Sequence, residues 1–220
     1  MINNKYVMEI LNSEQYISEK LNIKPVSKDR LAELCKEPEV DDETRQFIED
    51  NNLVWNTSTR RYDCDGGVMI SKDIVSDGKL KIRFGKVSGF FRCCDGNLTT
   101  LEGAPQEVGG YFNCGNNELT TLKGAPQKVN SYFICSSNKL TTLEGAPNEV
   151  GGSFSCKGNK LTTLEGAPQE VGDDFDCSHN ELTTLEGAPQ KVGGDFYCSN
   201  NPNLVLPKKK PSWLKGKIKK

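Results

Sequence analysis

The sequence predicts a solenoid of stacked β-strand repeats behind a helical N-terminal cap, and three observations carry that prediction. Phenylalanine recurs as Phe91, Phe112, Phe133, Phe154, Phe175 and Phe196, an unbroken period of 21 residues. A cysteine follows each one two places later, from Cys93 to Cys198. In the later copies an asparagine stands three places after the cysteine, as Asn117, Asn138, Asn159, Asn180 and Asn201. A fixed period in the twenties marks an architecture in which each repeat buries its apolar face only by stacking on its neighbours.

Composition is compatible with this. The chain has 220 residues and 35% hydrophobic content, which is low for an ordinary domain but enough for the narrow continuous core of a repeat protein. Apolar runs extend only a few residues, which excludes a transmembrane helix, and the opening residues contain no uninterrupted apolar stretch, so no secretory signal is read. Six of the nine cysteines occupy equivalent positions beside a core phenylalanine, where small buried hydrophobes belong. They form no Cys-x-x-Cys pair, and their spacing matches no zinc pattern, so neither a metal nor another cofactor is implied. Reduced thiols in a cytoplasmic compartment are the expectation. Net charge is −2, but residues 207–220 hold seven lysines and no acid. Without them, 21 basic residues face 30 acidic ones, and the body carries about −9.

Taken in order, residues 1–61 read as a helical cap. Val7, Ile10, Leu11, Ile17 and Leu21 recur at helical spacing before Pro25. A second short helix would carry Leu31, Leu34 and Cys35. Asp41 is placed to cap a third, with Phe47 and Ile48 inward and Asn51-Asn52 as its stop. Residues 62–88 are an irregular lead-in repeat, in which Val68 and Ile70 alternate inward and Leu80 and Val87 keep the offsets of Leu101 and Val108. Residues 89–206 hold six regular repeats. Within each, Phe and Cys alternate with variable residues, the period-2 pattern of a half-buried strand. The asparagine is placed to pair its amide with backbone groups left open by the turn. Two leucines, such as Leu119 and Leu122, line the return segment. Gly-Ala-Pro then turns the chain without helix, because proline lacks the donor a helix needs. Residues 207–220 form a basic tail in which Trp213 and Leu214 are expected to cover the last repeat.

This order, a strand followed by Asn-x-Leu-x-x-Leu and a proline-containing return, resembles the bacterial-type leucine-rich repeat, of the short kind found in secreted effectors of pathogenic bacteria. The resemblance covers residues 62–206. It implies an α+β solenoid with parallel strands on a concave face that binds proteins. The Phe-x-Cys-x-x-Asn-x-Leu-Thr-x-Leu-Glu-Gly form is similar to repeats of bacterial and bacteriophage genomes. Three features depart from the family pattern: Phe and Cys replace its strand Leu and Leu or Val, Glu-Gly-Ala-Pro replaces Pro-x-Leu-Pro, and the period is 21 rather than 20. Nothing resembles the ubiquitin-ligase domain carried by some such effectors. The alternative is a right-handed parallel β-helix, which needs two or three strand faces per turn where only one alternation is legible.

The positions that vary between repeats are free of the scaffold's demands. Before each phenylalanine stand Phe90, Tyr111, Tyr132, Ser153, Asp174 and Asp195, and after it Arg92, Asn113, Ile134, Ser155, Asp176 and Tyr197. Strand alternation turns these outward. Aromatic residues and Arg dominate protein–protein hot spots, so Phe90, Arg92, Tyr111, Asn113, Tyr132 and Ile134 are candidate partner-binding residues. Asp174, Asp176 and Asp195, with Tyr197, would steer a basic partner. Asp173 and His179 join those acids in the sole grouping that hints at a cation, and the bland reading there is a solvated acidic face. No catalytic triad or phosphate-cradling loop is found. The Thr-Thr pairs read as turn chemistry. Lys208, Lys209, Lys210, Lys215 and Lys217 offer a weak nucleic-acid contact. The expectation is a non-enzymatic protein-interaction module, effector-like or a phage-encoded inhibitor of a host protein. A structural or adhesive repeat protein and a nucleic-acid binder are the alternatives.

Overall fold

A computed structural model describes Glu33 and residues 36–220. The chain divides into two units, Met1–Glu39 and Val40–Lys220. In the first, Lys36 pairs with Glu39 at 3.2 Å on the surface. The helices expected around Val7 to Leu21 and around Leu31, Leu34 and Cys35 lie outside the described residues.

The second unit opens with the helix Asp42–Asp50. Asp41 caps it as its sequence position requires, its Oδ1 accepting the Thr44 backbone N–H at 2.8 Å. Phe47 and Ile48 are buried, and Asn51 closes the last turn. Lys81 Nζ donates to Asp41 Oδ2 at 2.8 Å, which ties the cap to the lead-in repeat. An antiparallel hairpin follows, pairing Val54–Asn56 with Arg61–Cys64. Among the described residues no helix is long and apolar enough to cross a membrane.

From there the chain winds as a parallel β-solenoid built on two sheets. One sheet starts at Val68–Met69, takes the Phe-x pair of every repeat from Phe91–Arg92 to Phe196–Tyr197, and ends at Ile218–Lys219. The other takes Phe84–Val87 and then the Glu-Val or Lys-Val pair of each repeat, from Glu107–Val108 to Lys191–Val192. Register is strict, so Phe91 faces Phe112, and Val108 faces Val129. Identical residues therefore stack into columns. From Phe91 to Phe196 the buried rings follow one another at centroid distances of 5.1 to 5.8 Å, close to the spacing of neighbouring strands.

The repeat solenoid is as expected, but its type needs correction. Two parallel sheets match the β-helix alternative, and no α+β leucine-rich repeat is formed. Among the described residues, helix is confined to Asp42–Asp50, Glu33 and the short 3-10 turn Lys72–Ile74. The second strand is two residues long and has one inward side chain, such as Val150, so it leaves no alternation to read. Its corner is made by residues that exclude helix. Gly145 has φ +96°, and a Cβ there would lie 2.5 Å from the Leu122 carbonyl carbon of the previous coil.

The asparagine column closes the other corner. Asn138 Oδ1 accepts from Leu119 N at 3.0 Å, and its Nδ2 donates to the carbonyls of Cys114 and Cys135, both at 3.1 Å. Asn117, Asn159, Asn180 and Asn201 repeat the pattern. At the far end the basic tail becomes a further coil. Ile218–Lys219 pairs with Phe196–Tyr197, Leu214 bridges Val192, and Trp213 sets its ring at 60° to Phe196, 5.3 Å away.

Candidate protein-binding face

The Phe-strand sheet turns the variable residues outward because two positions of each strand, Phe and Cys, are committed to the core. In-register pairing aligns Arg92, Asn113, Ile134, Ser155, Asp176 and Tyr197 in one column. Phe90, Tyr111, Tyr132, Ser153, Asp174 and Asp195 precede them in the other. All the sequence-predicted residues therefore share one sheet face, and the two ends of that face differ chemically.

At the N-terminal end the residues are aromatic and aliphatic. Phe90 and Tyr111 stack at 5.1 Å with planes 7° apart. Gly67 makes room for this stack: a Cβ on it would meet Phe90 Cε1 at 2.3 Å. Tyr132 leaves the stack, resting its ring edge 3.1 Å from where a Gly152 Cβ would stand, and is 47% exposed. Ile134 is half-buried beside it. Arg92 directs its Nε to Cys94 Sγ at 2.9 Å, and Asn113 accepts the Gly115 N–H at 2.9 Å. Both polar side chains are thus partly engaged within the strand's own turn.

The acidic end is occupied differently from the sequence expectation. Asp174 Oδ1 accepts the Asp195 backbone N–H, and Asp195 Oδ1 accepts the Lys217 backbone N–H, each at 2.7 Å. Ser153 Oγ begins the series by accepting from Asp174 N at 3.3 Å. Asp195 also pairs with Lys219 Nζ at 3.5 Å. The Lys217 N–H, aided by the Lys219 ammonium, holds the Asp195 carboxyl below its usual range. Asp176 Oδ1 accepts the Ser178 N–H at 2.9 Å. Asp174 and Asp195 hold one coil to the next and Asp176 closes its own turn, so all three are less free to steer a partner than sequence position implied.

Among the described residues, no three His, Cys, Asp or Glu side chains are grouped as metal ligands would be. His179 sits where every repeat needs a left-handed residue (φ +57°), and its Nε2 meets Asn200 Nδ2 at 2.9 Å. The column shared with Asp95, Asn116, Ser137 and Asn200 explains its presence as turn geometry.

Sequence reasoning passed over Met69. It pairs in register with Arg92 and is 54% exposed, which extends the apolar end by one coil. The inward alternation of Val68 and Ile70 was the available signal for it. Beside Met69 lies a groove of about 590 Å³, lined by Asp42, Glu43, Phe47, Asp50 and Asp73 among others. A second groove, about 740 Å³, follows the Gly-Ala-Pro corner past Arg61, whose Nη1 is held by the Phe84 carbonyl at 2.8 Å.

No family model matches the chain, and no curated protein or solved structure is significantly similar to it.

Proposed function

We propose that this chain is a non-enzymatic protein-binding module whose partner docks on the N-terminal half of the Phe-strand face. The observation that carries the reading is the exposure of Tyr132 and Met69 beside the stacked Phe90–Tyr111 pair on one sheet face. Contiguous exposed apolar side chains mark interaction sites more often than bare surface, and aromatic residues dominate binding energy where interfaces are dissected. The likeness of the Phe-x-Cys-x-x-Asn-x-Leu repeat sequence to repeats of bacterial and bacteriophage genomes supports an effector-like or phage-encoded inhibitor of a host protein. Unpaired cysteines throughout the core column support a reducing, cytoplasmic setting.

A pull-down comparing the full chain with a Phe90→Ala, Tyr111→Ala, Tyr132→Ala variant tests this. Loss of a specific partner is expected while circular dichroism and melting stay native. An unchanged partner set with a folded variant overturns the proposal. Tyr132→Ala alone, which removes no core contact, guards against a folding artefact.

One observation favours a second reading. The last coil leaves Lys208, Lys209, Lys210, Lys215 and Lys217 exposed, as a phosphate-backbone contact would require. Nucleic-acid binding through them should fall steeply with salt and vanish when the five are changed to Gln.

A further inference from the structure

The face begins beside a groove whose charge is one-sided. Asp42, Glu43, Asp50 and Asp73 line it with Phe47 and Met69. Lys81 pairs with Asp41 at 2.8 Å, lies 3.8 Å from Glu43 and also feels Asp73 electrostatically. Met69 belongs to both places. It lines the groove, and through its register with Arg92 it continues the aromatic end of the sheet. An apolar surface thus runs directly into an anionic recess.

We infer that the partner segment recognised by this face is a basic–apolar polypeptide, with a Lys or Arg seated in the groove and an apolar side chain over Met69 and Phe90. The inference rests on the proposed docking face and adds the partner's chemistry and direction. Charge complementarity selects the cation. The carboxylates at the other end of the sheet are already accepting the backbone N–H groups of Asp195 and Lys217. Recognition of a basic residue therefore falls to the groove end, where Lys81 is bonded to Asp41 and reaches Glu43 and Asp73 only at longer range.

The test is selection of a displayed random-peptide library on the immobilised full chain, with sequencing of the bound pool. Enrichment of Lys or Arg next to Trp, Phe, Leu or Met is expected, with binding that weakens as salt rises. An Asp42→Asn, Asp73→Asn variant should weaken the selected peptides about three- to tenfold at low salt. Met69→Ser should weaken them without removing the salt dependence. Peptides selected by the Tyr132 end with no basic bias would sink this inference and leave the docking face standing. A bound pool unaffected by Tyr132→Ala, Met69→Ser and the Asp variant alike would sink both. Concentration-dependent self-association abolished by Met69→Ser would make the occupant a second copy of the chain, and that too overturns the inference. All the substitutions lie at exposed positions, and an unchanged melting temperature verifies folding.

Discussion

Asn138 reaches back one coil to accept the Leu119 backbone N–H at 3.0 Å while donating to the Cys114 carbonyl at 3.1 Å. One amide thus satisfies both kinds of backbone group at a buried corner, and it also binds its own coil through the Cys135 carbonyl. Asn138→Ala would leave these groups without partners, since the site is only 8% exposed. Leaving such groups buried and unpaired costs about 1–3 kcal/mol each, so a loss of about 3 kcal/mol is expected in urea unfolding. Asn138→Asp should be as damaging, because a carboxylate cannot donate. A loss under 1 kcal/mol would mean that water replaces the amide.

The left-handed column offers the opposite change. Ser137 has φ +55°, and Gly158 fills the same position one coil later at φ +69°. A residue with a Cβ is disfavoured there by about 1–2 kcal/mol, and glycine's greater unfolded entropy returns part of that. Ser137→Gly is therefore expected to raise stability by about 0.5 kcal/mol, and Gly158→Val to lower it by more than about 1 kcal/mol. Thermal melts of the two variants with the parent decide the sign.

Acid should act first at the ends. Lys81 and the Thr44 N–H bring the Asp41 carboxyl from 3.8 down to about 2. A folded-state value below the unfolded one means stability that is present above about pH 4 and lost as pH falls through about 2. Asp195 has the same sign, its carboxylate held by the Lys217 N–H and Lys219. The melting-temperature gap between parent and Asp41→Asn should therefore close as pH drops from about 5 to about 2. A gap independent of pH would show that the charge at Asp41 contributes nothing.

Thiol chemistry should separate one cysteine from its neighbours. Burial pushes Cys93, Cys135, Cys156 and Cys177 far above the ordinary thiol range, and thiolate is the reactive form. Burial raises the Cys94 thiol as well, but it is only half-buried, beside Arg92, and so stays within reach of a reagent. Iodoacetamide on the native protein should label Cys94 well before the column, with faster labelling as pH rises, and should reach the column only on unfolding. Equal rates read by peptide mass spectrometry would contradict the packed column.

Much of this was legible beforehand because the signals are local. Asp41 and Phe47 announce a capped helix by spacing alone, and the 21-residue recurrence of Phe91 demands stacking whatever the coil's shape. The asparagine's task followed from the backbone groups that a tight corner exposes. The binding face was legible as a set of columns, since strand alternation sends Tyr132 and Asp174 to the same side. Its division of labour was not, because Asp174 Oδ1 meets the Asp195 N–H only when the coils are superposed.

The sequence by itself determined a repeat solenoid, its core columns and its outward columns. Period and alternation are properties of the chain, and they dictate which side chains water must leave. Tertiary structure alone decided the rest. It resolved the second sheet, whose two-residue strands in the regular repeats carry one inward residue apiece and so leave no period to read. It also decided which outward groups are free. Asp174 and Asp195 are drawn into inter-coil hydrogen bonds, while Met69 is left exposed at the edge of an acidic groove. Whether a polar side chain faces a partner or a neighbouring backbone depends on what the next coil places beside it, and that distance does not exist until the coils are stacked.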